Sequence, residues 1–87
     1  MTKIYVIERY VDRKTKNWWI EYLGLDDAGS ITRFRWGENT EYGGRVYSNG
    51  FVFNNRTMAD RFLMYLLNIG EITEKEEFFV SEQEQEE

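Results

Sequence analysis

The side chains that most enzymes use for acid–base and nucleophilic chemistry are missing from this chain. Its 87 residues include no histidine and no cysteine, which removes the commonest general base, the soft metal ligands and the thiol nucleophile. The glycines Gly43, Gly44 and Gly50 follow no phosphate-binding or dinucleotide-binding pattern. We therefore predict that the protein is not an enzyme and that it holds no cofactor.

Two groups of carboxylates are the remaining candidates for chemistry. Asp26-Asp27 could bind a divalent cation. An acidic pair directly before Ala-Gly-Ser is also typical of a turn, and calcium and magnesium sites need ligands at several spaced positions. Glu38 and Glu41 could act as an acid–base pair, but carboxylates in loops are usually solvated. We predict no metal site and no catalytic residue.

Aromatic and cationic side chains alternate in a way that nucleic-acid-binding sheets also use. Arg33 and Arg35 share one face of a predicted strand, Trp19 can lie on the same sheet face, and a basic turn precedes it. Such a face can stack the bases of single-stranded nucleic acid. The candidate residues for a nucleic acid or a nucleotide are Arg13, Lys14, Lys16, Trp19, Arg33 and Arg35. The same side chains also fit an ordinary solvent-facing sheet, because no known nucleic-acid-binding motif is present.

A second set of side chains fits a protein-binding surface. Aromatic residues, Met and Arg are enriched at the centres of protein interfaces. The candidate partner-binding residues are Trp19, Arg33, Arg35, Met64, Leu67, Phe78 and Phe79. The apolar members of this set could equally form a second small core or a homodimer seam, because an uncovered sheet face must be covered by something.

The net charge of −5 is an average over two unlike parts of the chain. Residues 71–87 hold eight Glu and one Lys, a net charge of −7, and residues 1–70 hold ten cations and eight carboxylates, a net charge of +2. The acidic stretch could imitate a phosphate backbone in a partner's basic groove. It could also fold back onto the protein's own Arg and Lys residues, or it could serve only as a solvated tail.

The first half of the chain predicts an antiparallel meander. The runs 3–11 and 18–23 are rich in β-forming Tyr, Trp, Val and Ile, and 31–36 places Phe34 and Trp36 opposite Arg33 and Arg35, so each run predicts a strand. Turn-forming residues separate these three runs at 13–17 and 26–30. Further along, Asn49-Gly50 lies between β-forming residues and predicts a type I′ hairpin between 46–48 and 51–53.

One stretch has helical periodicity. Apolar residues follow the helical spacing from Thr57 to Ile69, Thr57 fits an N-cap, and Gly70 fits the position after the last turn. Phe78-Phe79-Val80 predicts a short last strand or an anchor for the tail. The polar residues from Ser81 to Glu87 predict disorder.

Together these elements predict an α+β fold: a small antiparallel sheet of four to five strands, built from a meander plus a hairpin, with one helix in the C-terminal half packed on one face. We expect one domain over residues 1–80 and an acidic disordered tail over 81–87. No apolar run approaches the roughly 20 residues of a membrane span, and we expect no signal peptide and a cytoplasmic protein.

In size, acidity and absence of Cys, His and Pro, the chain resembles the small early proteins of bacteriophages. Several of those proteins inhibit host enzymes or defence systems, so the resemblance implies a phage-like inhibitor in the host-cell cytoplasm. We therefore expect a non-catalytic inhibitor or adaptor that binds and blocks a protein partner through an exposed sheet face and the acidic tail. The alternative is the single-stranded nucleic-acid or nucleotide-binding module described above.

Overall fold

The elements of the chain follow the order that the sequence predicts. This computed structural model describes residues 2–36 and 47–85. Its elements are β1 (Thr2–Val11), β2 (Trp19–Leu25), β3 (Ile31–Arg35), β4 (Val52–Phe53), α1 (Arg56–Asn68), a 3-10 turn (Glu74–Glu76) and β5 (Phe79–Gln85). They form a five-stranded antiparallel sheet with one helix in the C-terminal half. The predicted α+β fold is confirmed.

Strand β1 is hydrogen-bonded along both of its edges. Glu8 pairs with Tyr22 of β2 and also with Phe79 of β5. Val6 pairs with Val52 of β4 and also with Ser81 of β5. Strands β2 and β4 therefore share one edge of β1, and β5 occupies the other edge. Strand β3 extends the sheet by pairing with β2.

The segment that leads into β4 enters the space where β1 and β2 separate. The Phe51 amide donates to the Leu23 carbonyl at 3.0 Å, and the Leu25 amide donates to the Asn49 carbonyl at 3.0 Å. Gly24 and Gly50 form an isolated bridge at this crossing. The absence of side chains at both positions lets the two backbones approach this closely.

The turn before β4 differs from the predicted one. The Gly50 amide donates to the Tyr47 carbonyl at 2.9 Å, so the turn is centred on Ser48-Asn49. Asn49 has a φ of 62°, whereas Gly50 lacks the positive φ that a type I′ turn at Asn49-Gly50 requires. That prediction is wrong, because Gly50 is used in the bridge to β2 and the strand after the turn pairs with β1.

The N-cap of helix α1 lies two residues before the predicted one. The Asn55 side chain accepts hydrogen bonds from the amides of Thr57 and Met58, so Asn55 and not Thr57 is the N-cap. Asn and Thr both serve this role, and only the backbone conformation selects between them. The predicted helical segment is otherwise confirmed.

The C-terminal end of α1 is a Schellman motif. Gly70 has a φ of 79°, the Glu71 amide donates to the Leu66 carbonyl, and the Gly70 amide donates to the Leu67 carbonyl. The reversal of the chain carries Ile72 back onto Leu66, and both side chains are buried. Gly70 therefore ends the helix, as the sequence predicts.

The core lies between α1 and the face of the sheet that it covers, which we call the helix-side face. Ile7 and Leu23 from the sheet meet Leu66 and Ile72, and each of the four is no more than 2% exposed. Partly buried hydrophobic residues surround them, namely Ile31, Phe51, Phe53, Phe62, Leu63, Leu67, Phe78 and Val80. Burial of these side chains is the main favourable term for the fold.

The opposite face of the sheet is also buried near its centre. Ile4, Val6, Ile20 and Tyr22 alternate with the helix-side residues and are no more than 6% exposed. The Tyr22 ring stacks on Phe34 and meets Tyr47 edge to face. Burial raises the pKa of the Tyr22 hydroxyl, which donates to the Ser48 carbonyl at 2.9 Å.

Strand β5 replaces most of the predicted disordered tail. Residues 81–85 pair with β1 from Thr2 to Val6, so the prediction of disorder beginning at Ser81 is wrong for them. The polar composition suggested disorder, but β1 offers an unpaired edge, and Val80 anchors the strand on the core. Residues 86–87 lie outside the described part of the chain, as do residues 37–46 with Glu38, Glu41, Gly43, Gly44 and Val46.

We expect Gly24→Ala to destabilise the protein by about 3 kcal/mol, measured by urea unfolding. A Cβ at Gly24 would lie 2.2 Å from the Asn49 carbonyl oxygen, a backbone atom that cannot move without breaking the bridge. Gly29→Ala is the matched control. It has open space but a φ of 79°, so it should cost only about 1 kcal/mol. Equal costs for the two variants would contradict the close crossing of β2 and the segment before β4.

Candidate functional site

Five charged side chains form one network on the helix-side face, which we call the arginine cluster: Arg9, Glu21, Arg33, Arg35 and Glu76. Strand register places four of them side by side, because Arg9 pairs with Glu21, Glu21 pairs with Arg35, and Arg33 lies two residues from Arg35 on β3. Glu76 reaches the same place from the 3-10 turn. The cluster therefore joins three strands to the acidic C-terminal stretch.

Glu21 lies at the centre of one half of the cluster. Its Oε1 accepts hydrogen bonds from Nε and Nη2 of Arg9, at 3.0 and 2.7 Å. Its Oε2 accepts from the Trp19 indole at 2.9 Å. The Arg35 guanidinium lies over the Trp19 ring, 4.8 Å from its centroid. Trp19 is thus held between a carboxylate and a cation.

Glu76 carries the other half of the cluster. Its Oε1 accepts from Arg33 Nε at 2.5 Å and lies 4.0 Å from Arg9 Nη1. Its Oε2 accepts from the Thr73 amide, which closes the capping box of the 3-10 turn. The hydrogen bond from Arg33 lowers the pKa of Glu76, and the same bond raises the pKa of Arg33. Part of the acidic stretch therefore does fold back onto the protein's own arginines.

The predicted partner-binding residues divide among four places. Trp19, Arg33 and Arg35 lie in or beside the arginine cluster, and Phe78 lies under the guanidinium of Arg9 at 5.2 Å. Leu67 packs against the core. Met64 is 57% exposed on α1, away from the cluster. Phe79 contacts Tyr10 on the opposite face of the sheet. These seven residues therefore do not form one continuous patch.

The predicted nucleic-acid-binding residues also lie on two faces. Arg13 places its guanidinium over the Tyr10 ring at 4.6 Å, on the face opposite Trp19. Tyr10 in turn stacks on Phe79, with centroids 5.6 Å apart, and lies 6.1 Å from Trp18. We call Trp18, Tyr10 and Phe79 the aromatic row. The basic turn thus adjoins this row, whereas Trp19, Arg33 and Arg35 lie on the helix-side face.

Sequence reasoning missed Tyr10 and Trp18 as members of a site. The alternation of the second strand was visible in the sequence, and it placed Trp18 on the same face as Ile20 and on the face opposite Trp19. What the pattern did not supply was the register that brings Tyr10 between Trp18 and Phe79. A cavity of about 370 Å³ adjoins the row and is lined by Tyr10, Arg13, Glu77 and Phe79.

Strand β5 forms a second candidate surface, which we call the acidic edge. Among the residues that the structure describes, β5 pairs only with β1, so its outer backbone groups are open. Glu82 and Glu84 are exposed on this strand. The Tyr5 hydroxyl donates to Glu82 at 3.1 Å, and Lys3 pairs with Glu84 in the strand register. The pairing of β5 with β1 fixes the backbone that carries these two carboxylates.

Asp26 uses its carboxylate within its own turn. Oδ1 accepts from the amides of Ala28 and Ser30, and Oδ2 accepts from the Thr32 hydroxyl. These hydrogen bonds, led by that from Ser30, lower the pKa of Asp26. Within residues 2–36 and 47–85 there is no group of three or more potential acidic ligands that could hold a metal ion.

Glu8 is a buried carboxylate that the sequence analysis did not single out. It is 1% exposed on the opposite face and accepts a hydrogen bond from the Tyr47 hydroxyl at 3.2 Å. Its position on the central strand, paired with Tyr22 and Phe79, places it beneath the aromatic residues of that face. The burial of a glutamate cannot be predicted from its position in a strand alone.

Comparisons with known proteins supply no relative. No protein-family model matches the chain, and no curated protein or solved structure matches it significantly. None of the helices in the described residues is long and apolar enough to cross a membrane. Function must therefore be inferred from the surfaces themselves.

We expect Glu76→Gln to lower the free energy of unfolding by about 1–2 kcal/mol at pH 7. Because Arg33 lowers the pKa of folded Glu76 below the value of about 4.3 in the unfolded chain, the ionised carboxylate stabilises the fold above that value. This stabilisation is lost as the pH falls through the lowered pKa. Urea unfolding at pH 7 and at pH 3 should therefore show a penalty that shrinks at the lower pH.

Glu74→Gln is the control for this measurement, because Glu74 is exposed on the same 3-10 turn. It should unfold like the wild type at both pH values. A penalty for Glu76→Gln that does not change with pH would contradict an ion pair between Glu76 and Arg33.

Proposed function

We propose that this protein is a non-catalytic binding protein that blocks a protein partner through the acidic edge. The observation that carries the proposal is the position of β5: an outer strand with one open edge and exposed carboxylates at Glu82 and Glu84. An extended segment of a partner can add to such an edge through main-chain hydrogen bonds. The side chains of β5 then select which partner binds.

The chemistry of β5 selects a cationic partner. Successive residues on one face of a strand are about 6.8 Å apart, so Glu82 and Glu84 present two negative charges at a regular spacing. A Lys- or Arg-rich surface, such as a groove that normally accepts nucleic acid, is complementary to this arrangement.

Blocking follows from the rigidity of the edge. Because β5 is hydrogen-bonded to β1 along its length, little conformational entropy is lost when the carboxylates meet a partner. A disordered acidic tail would lose that entropy on binding. The acidic edge can therefore compete with a flexible single strand of nucleic acid for the same groove.

The contacts of the other carboxylates support a non-catalytic role. Glu21 and Glu76 are ion-paired with arginines, and Asp26 is used in its turn. The chain contains no His and no Cys, and a binding role, unlike a catalytic one, requires no acid–base or nucleophilic side chain. A phage-type inhibitor that acts in the host-cell cytoplasm remains part of this proposal.

We expect removal of the charges of the acidic edge to weaken partner capture about tenfold. The immobilised protein is exposed to a bacterial lysate at low salt, and retained proteins are quantified by mass spectrometry for the wild type and for Glu82→Gln/Glu84→Gln. The retained partner is then purified, and its binding to nucleic acid is measured with and without the wild-type protein. Competition between protein and nucleic acid is the expected result.

The matched control is Asp27→Asn/Asp60→Asn, which removes the same charge from exposed positions off β5. It should retain the partner like the wild type. Equal retention by all three proteins, or a retained partner whose nucleic-acid binding is unaffected, would contradict the proposal. Retention of only a second copy of this chain would replace it with self-association.

A further inference from the structure

The aromatic row lies on a different part of the molecule from the acidic edge. Tyr10 and Phe79 come from β1 and β5, Trp18 directly precedes β2, and the three rings are side by side on the opposite face of the sheet. Glu82 pairs with Tyr5, five residues from Tyr10 along β1, which places it about 17 Å away. The row is therefore not part of the surface proposed above.

Trp18 ends the row as an open platform. Its side chain is 51% exposed, although tryptophan is the side chain with most to gain from burial. Its neighbour Tyr10 meets it at a tilt of 58°, so the two rings do not stack on each other. A planar aromatic group from a ligand can stack on the Trp18 ring without displacing a protein group.

Cations surround the row on the side of the β1–β2 turn. The Arg13 guanidinium lies 4.6 Å from the centroid of the Tyr10 ring, and Lys14 and Lys16 are exposed in the same turn. Two exposed carboxylates, Asp12 and Glu77, are also near, so the exposed cations outnumber the exposed carboxylates here, and Glu8 is buried beneath the rings. Stacking platforms beside cations are what single-stranded nucleic acid requires.

The cavity beside the row is half open and has enough volume to admit a nucleobase. Its volume of about 370 Å³ falls within the usual range for small-ligand sites. Tyr10 and Phe79 supply apolar ring surface, the Glu77 carboxylate can accept a hydrogen bond from an amino group or a ring N–H, and Arg13 can donate to a phosphate.

We propose that this end of the sheet binds single-stranded nucleic acid. One base stacks on Trp18, a neighbouring base enters the cavity lined by Tyr10, Arg13 and Phe79, and the phosphates lie against Arg13, Lys14 and Lys16. Stacking tolerates any base, so binding is largely independent of sequence. Duplexes bind more weakly, because paired bases cannot reach Trp18 or the cavity.

The test is a fluorescence-anisotropy titration of labelled single strands with the full chain. Separate arms use DNA and RNA of about 12 nucleotides and a DNA duplex of the same length. We expect both single strands to bind more tightly than the duplex. Three phosphate contacts predict that log K falls with log salt concentration with a slope of about −2.

Matched variants locate the site. Trp18→Ala should weaken single-strand binding about tenfold, whereas Trp19→Ala, on the helix-side face, should not change it. Arg13→Gln/Lys16→Gln alters only exposed side chains and should reduce the salt slope by more than half. Thermal unfolding of each variant establishes whether it is folded. If Trp18→Ala does not fold, the Arg13→Gln/Lys16→Gln variant still tests the site.

Several results would overturn this proposal. They are absence of single-strand binding at low salt, duplex binding as tight as single-strand binding, and an unchanged affinity for folded Trp18→Ala. An unchanged salt slope for the Arg13→Gln/Lys16→Gln variant would also overturn it. Tighter binding of RNA than of DNA, or the reverse, would support the site and identify its preferred ligand.

Discussion

The pairing of β1 along both edges is the constraint on which the rest of this small fold depends. β2 and β4 divide one edge of β1 between them, and β5 occupies the other. This arrangement buries Ile7 under α1 and Val6 on the opposite face of the same strand. A chain of 87 residues has little surface to bury. Strand β1 therefore contributes to stability through apolar burial on both of its faces and through hydrogen bonds along both of its edges.

The same arrangement explains how the protein distributes its charge. The acidic C-terminal stretch is divided between a carboxylate bound by arginines, Glu76, and carboxylates held on an outer strand, Glu82 and Glu84. The first use adds to stability and the second leaves charge exposed on a rigid edge. The cations of the β1–β2 turn lie near the other end of β1. The exposed carboxylates of β5 and the cations of the β1–β2 turn therefore lie toward opposite ends of β1.

Local sequence patterns predicted most of the strands and the helix, whereas the contacts between distant segments depend on non-local pairing. Alternation identified β1, β2 and β3, and helical spacing with Gly70 identified α1, because each signal lies within a few neighbouring residues. The bridge between Gly24 and Gly50 and the continuation of the last strand beyond Val80 were not predictable in this way. A Glu- and Gln-rich segment becomes a strand only when an open edge and an apolar anchor such as Val80 are available. The aromatic row was missed for the same reason, since its members are distant in sequence.

Amide hydrogen exchange followed by NMR tests most directly whether β5 is an integral strand of the sheet. The account predicts that those β5 amides that donate to β1 exchange within about tenfold of the slowest amides of β1, because both are released by the same opening of the sheet. Outward-pointing amides of β5 should exchange faster. Exchange of all amides from residue 81 to residue 85 at the rate of an unstructured peptide, with β1 still protected, would contradict it.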